Sequence, residues 1–135
     1  MNSSLTPGIE GTYRRCVVTE HLVSHHNPGG APVLSTPHLL GFMEAAAWQA
    51  MAPHLNAGDD SVGVGFEFQH LAPTPAGMTV TAQAVVTKVE GRFVTLTIEA
   101  RDEQELIAKG QHVRAVITLE RFKERLKRKV EQPNG

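Results

Sequence analysis

One cysteine, Cys16, is the whole thiol inventory of the 135 residues. No internal disulfide is available, and a reducing, cytoplasmic setting is expected. Aromatic residues make up only 5% of the chain, so a core has to rest on Val, Leu, Ile, Ala and Met. Excess charge of either sign is missing too. The formal net charge is −1 with neutral histidines, which leaves no overall field to draw in nucleic acid or a membrane surface. No run of about 18 apolar residues occurs, so no bilayer-spanning helix is expected. The opening MNSSLTPGIEG has no basic stretch followed by an apolar one, and no signal peptide is expected. Internal repeats and linkers are absent. What remains is 41% hydrophobic and the size of one ordinary domain, residues 1–135, with material for a modest core.

The stretch STPHLLGFMEAAAWQAMAP, from Ser35 to Pro53, reads as a helix apolar enough to be buried on every side. Thr36 is the expected cap and Pro37 suits the first helical position, while Pro53 closes the helix. Before it, GTYRRCVVTEHLV from Gly11 to Val23 is rich in β-branched residues and predicts a strand; SHHNPGGAP is a loop. After it the period changes to two. SVGVGFEFQHL alternates, with Val62, Val64, Phe66 and Phe68 expected on one side. Met78–Val89 is the next strand, and Glu90-Gly91 suits a tight turn. Arg92–Arg101 alternates with Val94, Leu96, Ile98 and Ala100 on one face. Leu106–Leu119 alternates with Val113, Ala115, Ile117 and Leu119 on one face. A basic tail from about residue 120 to 135 predicts a short, fraying, solvated helix. The order is strand, helix, then four strands expected as an antiparallel meander. A sheet curled around an apolar helix satisfies both patterns. This is the α+β hotdog fold, with about five strands and an open flank that favours pairing into a homodimer.

One carboxylate, Glu44, interrupts the helix. Its neighbours one turn away are Leu40, Gly41, Ala47 and Trp48, all apolar or bare. Either Glu44 lies in a polar pocket or the helix has a face open to solvent or to a subunit seam. His70 ends an alternating strand just before a Pro-rich turn, where side chains often line clefts; a structural role would explain it as well. The Thr36 hydroxyl lies two helical turns from Glu44, about 12 Å, so the two would meet only around a substrate. A hydroxyl, a carboxylate and an imidazole are the parts used in acyl transfer. Backbone N–H groups near the helix start, around Gly41, would suit an oxyanion. Gly63 and Gly65 would let backbone approach a ligand, or mark a bulge. His21, His25 and His26 lie close together without an acidic or cysteine ligand to complete a set, so no metal and no cofactor are expected.

Four segments, STPHLLGFMEAAAWQAMAPHL, SVGVGFEFQHLAPTPAGMTVT, VEGR and GQHVRAVITLERF, stand in an order and spacing that resembles hotdog-fold acyl-CoA thioesterases. The closest resemblance is to the fluoroacetyl-CoA thioesterase group. It implies that Thr36, Glu44 and His70 are catalytic and that Gly63, Gly77 and Arg114 belong to the site. It does not extend to SHHNPGGAPVLST, which is shorter than the family's Phe-bearing lid segment and has no Phe. The lid residues are therefore not carried over, and fluoroacetyl selectivity is not implied. The resemblance places this loop near the acyl pocket, where His25 or His26 would touch substrate.

The expected function is hydrolysis of a small or medium acyl-CoA thioester in a homodimer, with pairing of dimers into tetramers left open. Neither a nucleic-acid nor a membrane partner is expected. An enoyl-CoA hydratase would require an Asp/His motif that the chain lacks. An acyl-CoA binder without turnover would leave the Thr/Glu/His set unused.

Overall fold

The computed structural model describes residues 4–131. The first three residues and 132–135, the end of the expected basic tail, lie outside the described residues. In chain order the elements are β1 (Glu10–Cys16), α1 (Val23–His26), α2 (Thr36–Met51), β2 (Asp59–His70), β3 (Thr79–Glu90), β4 (Phe93–Arg101), β5 (Leu106–Thr118) and α3 (Leu119–Glu131). Five antiparallel strands form one sheet in the order β1-β3-β4-β5-β2. The hotdog reading holds, but the four-strand meander does not. Only β3, β4 and β5 follow one another; β2 crosses to the far edge and pairs with β5. Strand partners across such a distance leave no mark in local periodicity.

Alternation builds the core. Val80, Ala82, Ala84 and Val86 of β3 and Val94, Leu96, Ile98 and Ala100 of β4 are all buried facing α2. Each Val, Leu or Ile side chain so placed contributes about 1.5–3 kcal/mol. Leu39, Met43, Ala46, Ala47, Ala50 and Met51 of α2 complete this layer. Small residues set the helix close. A side chain at Gly11 of β1 would run into the helix backbone at Ala46 and Ala50, so glycine is required where the two backbones meet.

Two local expectations are corrected. The first strand ends at Cys16. Beyond it Thr19–His21 forms a 3-10 turn and Val23–His26 a single helical turn, so Val17–Val23 is not strand. The 22–34 loop is closed on itself through a Leu22–Leu34 bridge and the Val23 N–H on the Val33 carbonyl at 2.9 Å. On β5 the inward face is not the aliphatic one. His112, Arg114 and Val116 face α2, as their pairing with Leu96 and Val94 requires, while Val113 and Ile117 face outward. Leu119 belongs to α3.

α2 is not buried on every side. Gly41, Trp48 and Gln49 are exposed and Glu44 is half-exposed; Gly41, Glu44 and Trp48 lie against β2. No helix of the described residues is long and apolar enough to cross a membrane.

Candidate active site

Helix capping decides what Thr36 can do. The cap is Ser35, not Thr36: its hydroxyl accepts the His38 N–H at 3.3 Å. Thr36 is the first helical residue, and its hydroxyl is left for chemistry. It meets His70 Nδ1 at 2.9 Å, so the start of α2 and the end of β2 are joined by this pair. Burial lowers the His70 pKa below the usual histidine value, and the nearby Ala72 backbone opposes the shift. The ring is therefore neutral at pH 7. Its Nε2 is buried and has no hydrogen bond of good geometry among the described residues. Nδ1 is the nitrogen turned toward the Thr36 hydroxyl.

Eight residues along α2, Glu44 anchors a second cluster. Its Oε2 receives Arg114 Nη1 at 3.4 Å and lies 3.9 Å from His112 Nε2. Arg114 is buried, and each of its three guanidinium nitrogens is engaged. Nε donates to the Ser61 hydroxyl at 3.0 Å, Nη2 to the Ser61 carbonyl at 2.8 Å, and Nη1 also to His112 Nε2 at 3.2 Å. His112 Nδ1 donates to the Gly65 carbonyl at 2.8 Å. An imidazole that donates at Nδ1 and accepts at Nε2 is neutral, and its tautomer is fixed by these two partners. Burial is the first cause of its lowered pKa, with Arg114 acting in the same direction and the Gly65 carbonyl and Glu44 opposing.

The floor of this cluster is glycine. A Cβ on Gly63 would collide with Glu44 Oε2 and lie 3.0 Å from His112 Cε1. A cavity of about 450 Å3 opens here, lined by Gly41, Glu44, Ala45, Trp48, Gly63 and Arg114. Gly41 therefore contributes space. In the second turn of α2 its N–H is committed to the helix ladder, so it is not an oxyanion donor. Gly77 lies apart, in the turn entering β3, with φ +97° and its N–H on the Val17 carbonyl at 2.8 Å. The β2 register shifts between Gly63 and Gly65. That bulge turns Val62 to the opposite side from Phe66 and Phe68 and leaves Val64 55% exposed, where unbroken alternation was expected.

Within one chain the structure brings Thr36 to His70, and Glu44 to Gly63 and Arg114. It does not bring Glu44 to His70; the imidazole beside Glu44 is His112. Sequence reasoning missed His112 and Ser61. His112 was within reach, because residues two apart on a strand share a face and Arg114 had been singled out. His25 and His26 lie in α1, where a loop was expected, and the His26 ring stacks on His38 of α2 at 5.5 Å.

The profile of the fluoroacetyl-CoA-specific thioesterase family matches residues 11–120. The chain belongs to this family. It is 41% identical over 97 residues to the fluoroacetyl-CoA thioesterase of Streptantibioticus cattleyicolor, spanning 72% of this chain and 70% of that one. A solved fluoroacetyl-CoA thioesterase structure superposes with TM-score 0.85 at 35% identity, over 93% of this chain and 98% of the other. A variant of such an enzyme, solved with fluoroacetate and CoA, gives 0.81 at 38% identity over 87% and 99%. A thioesterase superfamily member from Thermus thermophilus gives 0.90 at 27% identity, over 98% and 97%. Membership makes the chain a thioesterase, a hydrolase of thioesters.

Proposed function

We propose that this thioesterase hydrolyses small or medium acyl-CoA at a composite site, with the whole chain acting as one hotdog domain and α3 as its appendage. The observation that carries the reading is the Thr36–His70 hydrogen bond at 2.9 Å. A neutral imidazole beside a hydroxyl can take its proton as a thioester carbonyl is attacked. The attacking oxygen is that of Thr36 or of a water it holds. His70 then returns the proton to the departing CoA sulfur; where Thr36 has attacked, a water that gives its proton to His70 or Glu44 then cleaves the acyl-threonine and releases the free acid. Glu44 is the second base. Arg114 Nη1 donates to it at 3.4 Å, and the bare Gly41 and Gly63 leave room for substrate beside it.

A second copy of the chain supplies the missing proximity. β2 is an edge strand, and edge strands invite pairing. In the homodimer, Glu44 of one subunit faces Thr36 and His70 of the other. The acyl chain enters between the two, and the Phe-free 22–34 loop, with His26 over His38, bounds it. The cytoplasm is the setting that the single cysteine, Cys16, fits.

The test is a panel of acyl-CoAs of graded length with released thiol as the readout. The parent releases thiol. Glu44→Ala and His70→Ala lower kcat by at least about 100-fold, with unchanged circular dichroism. Thr36→Ser retains turnover and Thr36→Ala does not; mass spectrometry of quenched Thr36→Ser reactions tells an acyl-enzyme from direct water attack. Parent-like rates in both Ala variants at 44 and 70 would end the assignment.

A further inference from the structure

At the end of β5 three separate pieces of chain are tied together. The Val116 N–H donates to the Arg92 carbonyl at 2.8 Å, and the Leu119 N–H to the Gly58 carbonyl at 3.0 Å. The β3–β4 turn, the loop before β2 and the first turn of α3 are thereby held around one cavity of about 470 Å3. Its rim carries Arg92, Arg121, Asn56 and Asp59. Both arginines are exposed. Among the described residues neither has a carboxylate within ion-pair distance, although Asp59 shares the lining. Arg92 rests over the Phe93 ring, 5.0 Å from its centroid, which restricts where its guanidinium can go. Two guanidinium groups lining one cavity beside an amide, with no ion-pair partner among the described residues, suit a multiply charged oxyanion and can hold phosphate oxygens in pairs.

We propose that Arg92 and Arg121 bind the phosphate groups of coenzyme A, the end of the substrate farthest from the thioester. The inference rests on the acyl-CoA reading above and deepens it. Thr118 at the cavity lies four residues along β5 from Arg114, about 13 Å at 3.3 Å per residue. An extended pantetheine arm crosses that span. The diphosphate and the 3′-phosphate then sit at the rim while the thioester reaches the Glu44–Arg114 cluster. Asn56 supplies an uncharged donor to the same oxygens.

The experiment compares two substrates with the same acyl group. One is the CoA thioester; the other is the N-acetylcysteamine thioester, which keeps the reacting bond and lacks every phosphate. Arg92→Ala, Arg121→Ala and the double variant are made in the full chain. The double variant raises KM for acyl-CoA by about tenfold or more, the loss expected when charge-assisted hydrogen bonds are removed, with kcat near the parent's. The preference for the CoA thioester over the truncated one falls by the same factor. A dephospho-CoA thioester then separates the 3′-phosphate from the diphosphate. Adenosine 3′,5′-bisphosphate, titrated calorimetrically, binds the parent and not the double variant. An unchanged preference for CoA, or an equal loss with both substrates, overturns the assignment while leaving the thioesterase reading intact. A parent that cleaves neither substrate sinks that reading instead, and the bisphosphate titration then decides alone whether this cavity takes phosphate.

Discussion

Inward positions on β3 and β4 hold Val, Leu, Ile and Ala; the matching positions on β5 hold His112 and Arg114. Both are polar groups out of water, tolerable because their capacity is met by Gly65, Ser61 and Glu44. His112 carries a stability consequence. Its folded pKa lies below the 6.5 of an unperturbed histidine, so the unfolded chain binds more protons across that interval. Stability therefore rises with pH there; it is present above about 6.5 and is lost as pH falls through the folded value. Thermal midpoints measured from pH 8 down to pH 5 should drop below 6.5, and His112→Gln should flatten part of the drop. His21 and His70, also lowered by burial, supply the remainder. An identical slope in the variant would rule this out. At this scale the sequence was informative where a residue was chemically out of place. Glu44 in an apolar helix and His70 at a strand end stood out. His112 did not stand out by itself, because a histidine near other polar residues on a strand looks ordinary; only its shared face with Arg114 points to it.

Among the elements, α2 shows how local rules mislead by one position. Thr36-Pro37 and Ser35-Thr36 are both acceptable helix starts, and only the Ser35 hydroxyl on the His38 N–H settles which applies. β4 was legible in full, since Val94, Leu96, Ile98 and Ala100 alternate without interruption. β2 was not, because its bulge between Gly63 and Gly65 resets the alternation, and a glycine pair does not announce whether it bends the strand or makes room. The contact of β1 with α2 yields a prediction. Gly11→Ala places a methyl against helix backbone at Ala46 and Ala50, atoms that cannot rotate away. Denaturant unfolding should show a loss of about 1–3 kcal/mol. A variant as stable as the parent would mean the helix can lift from the strand without cost.

For the molecule as a whole, the composite site makes a sharper demand than oligomer mass alone. On the proposed reading, Glu44→Ala and His70→Ala should each be inactive as homodimers. Mixed and allowed to exchange, half of the dimers are hybrids, each with one intact site, so about a quarter of the parent activity should return. Light scattering should give twice the 14.7 kDa chain mass. No recovery on mixing, in a sample shown to exchange subunits, would place all three residues within one chain. The fold class was readable from pattern because a greasy helix and alternating strands permit few arrangements. Strand order and the division of the site into two clusters were not, since both arise from long-range pairing. The curl of the sheet is uneven: the inner residues of β3 and β4 are fully enclosed, whereas Phe66 and Phe68 of β2 are only partly covered. One half of the sheet is thus a keel, intolerant of change, and the other a workbench. Descendants of this chain can retool their appetite for new acids at the bench while the keel stays as it is.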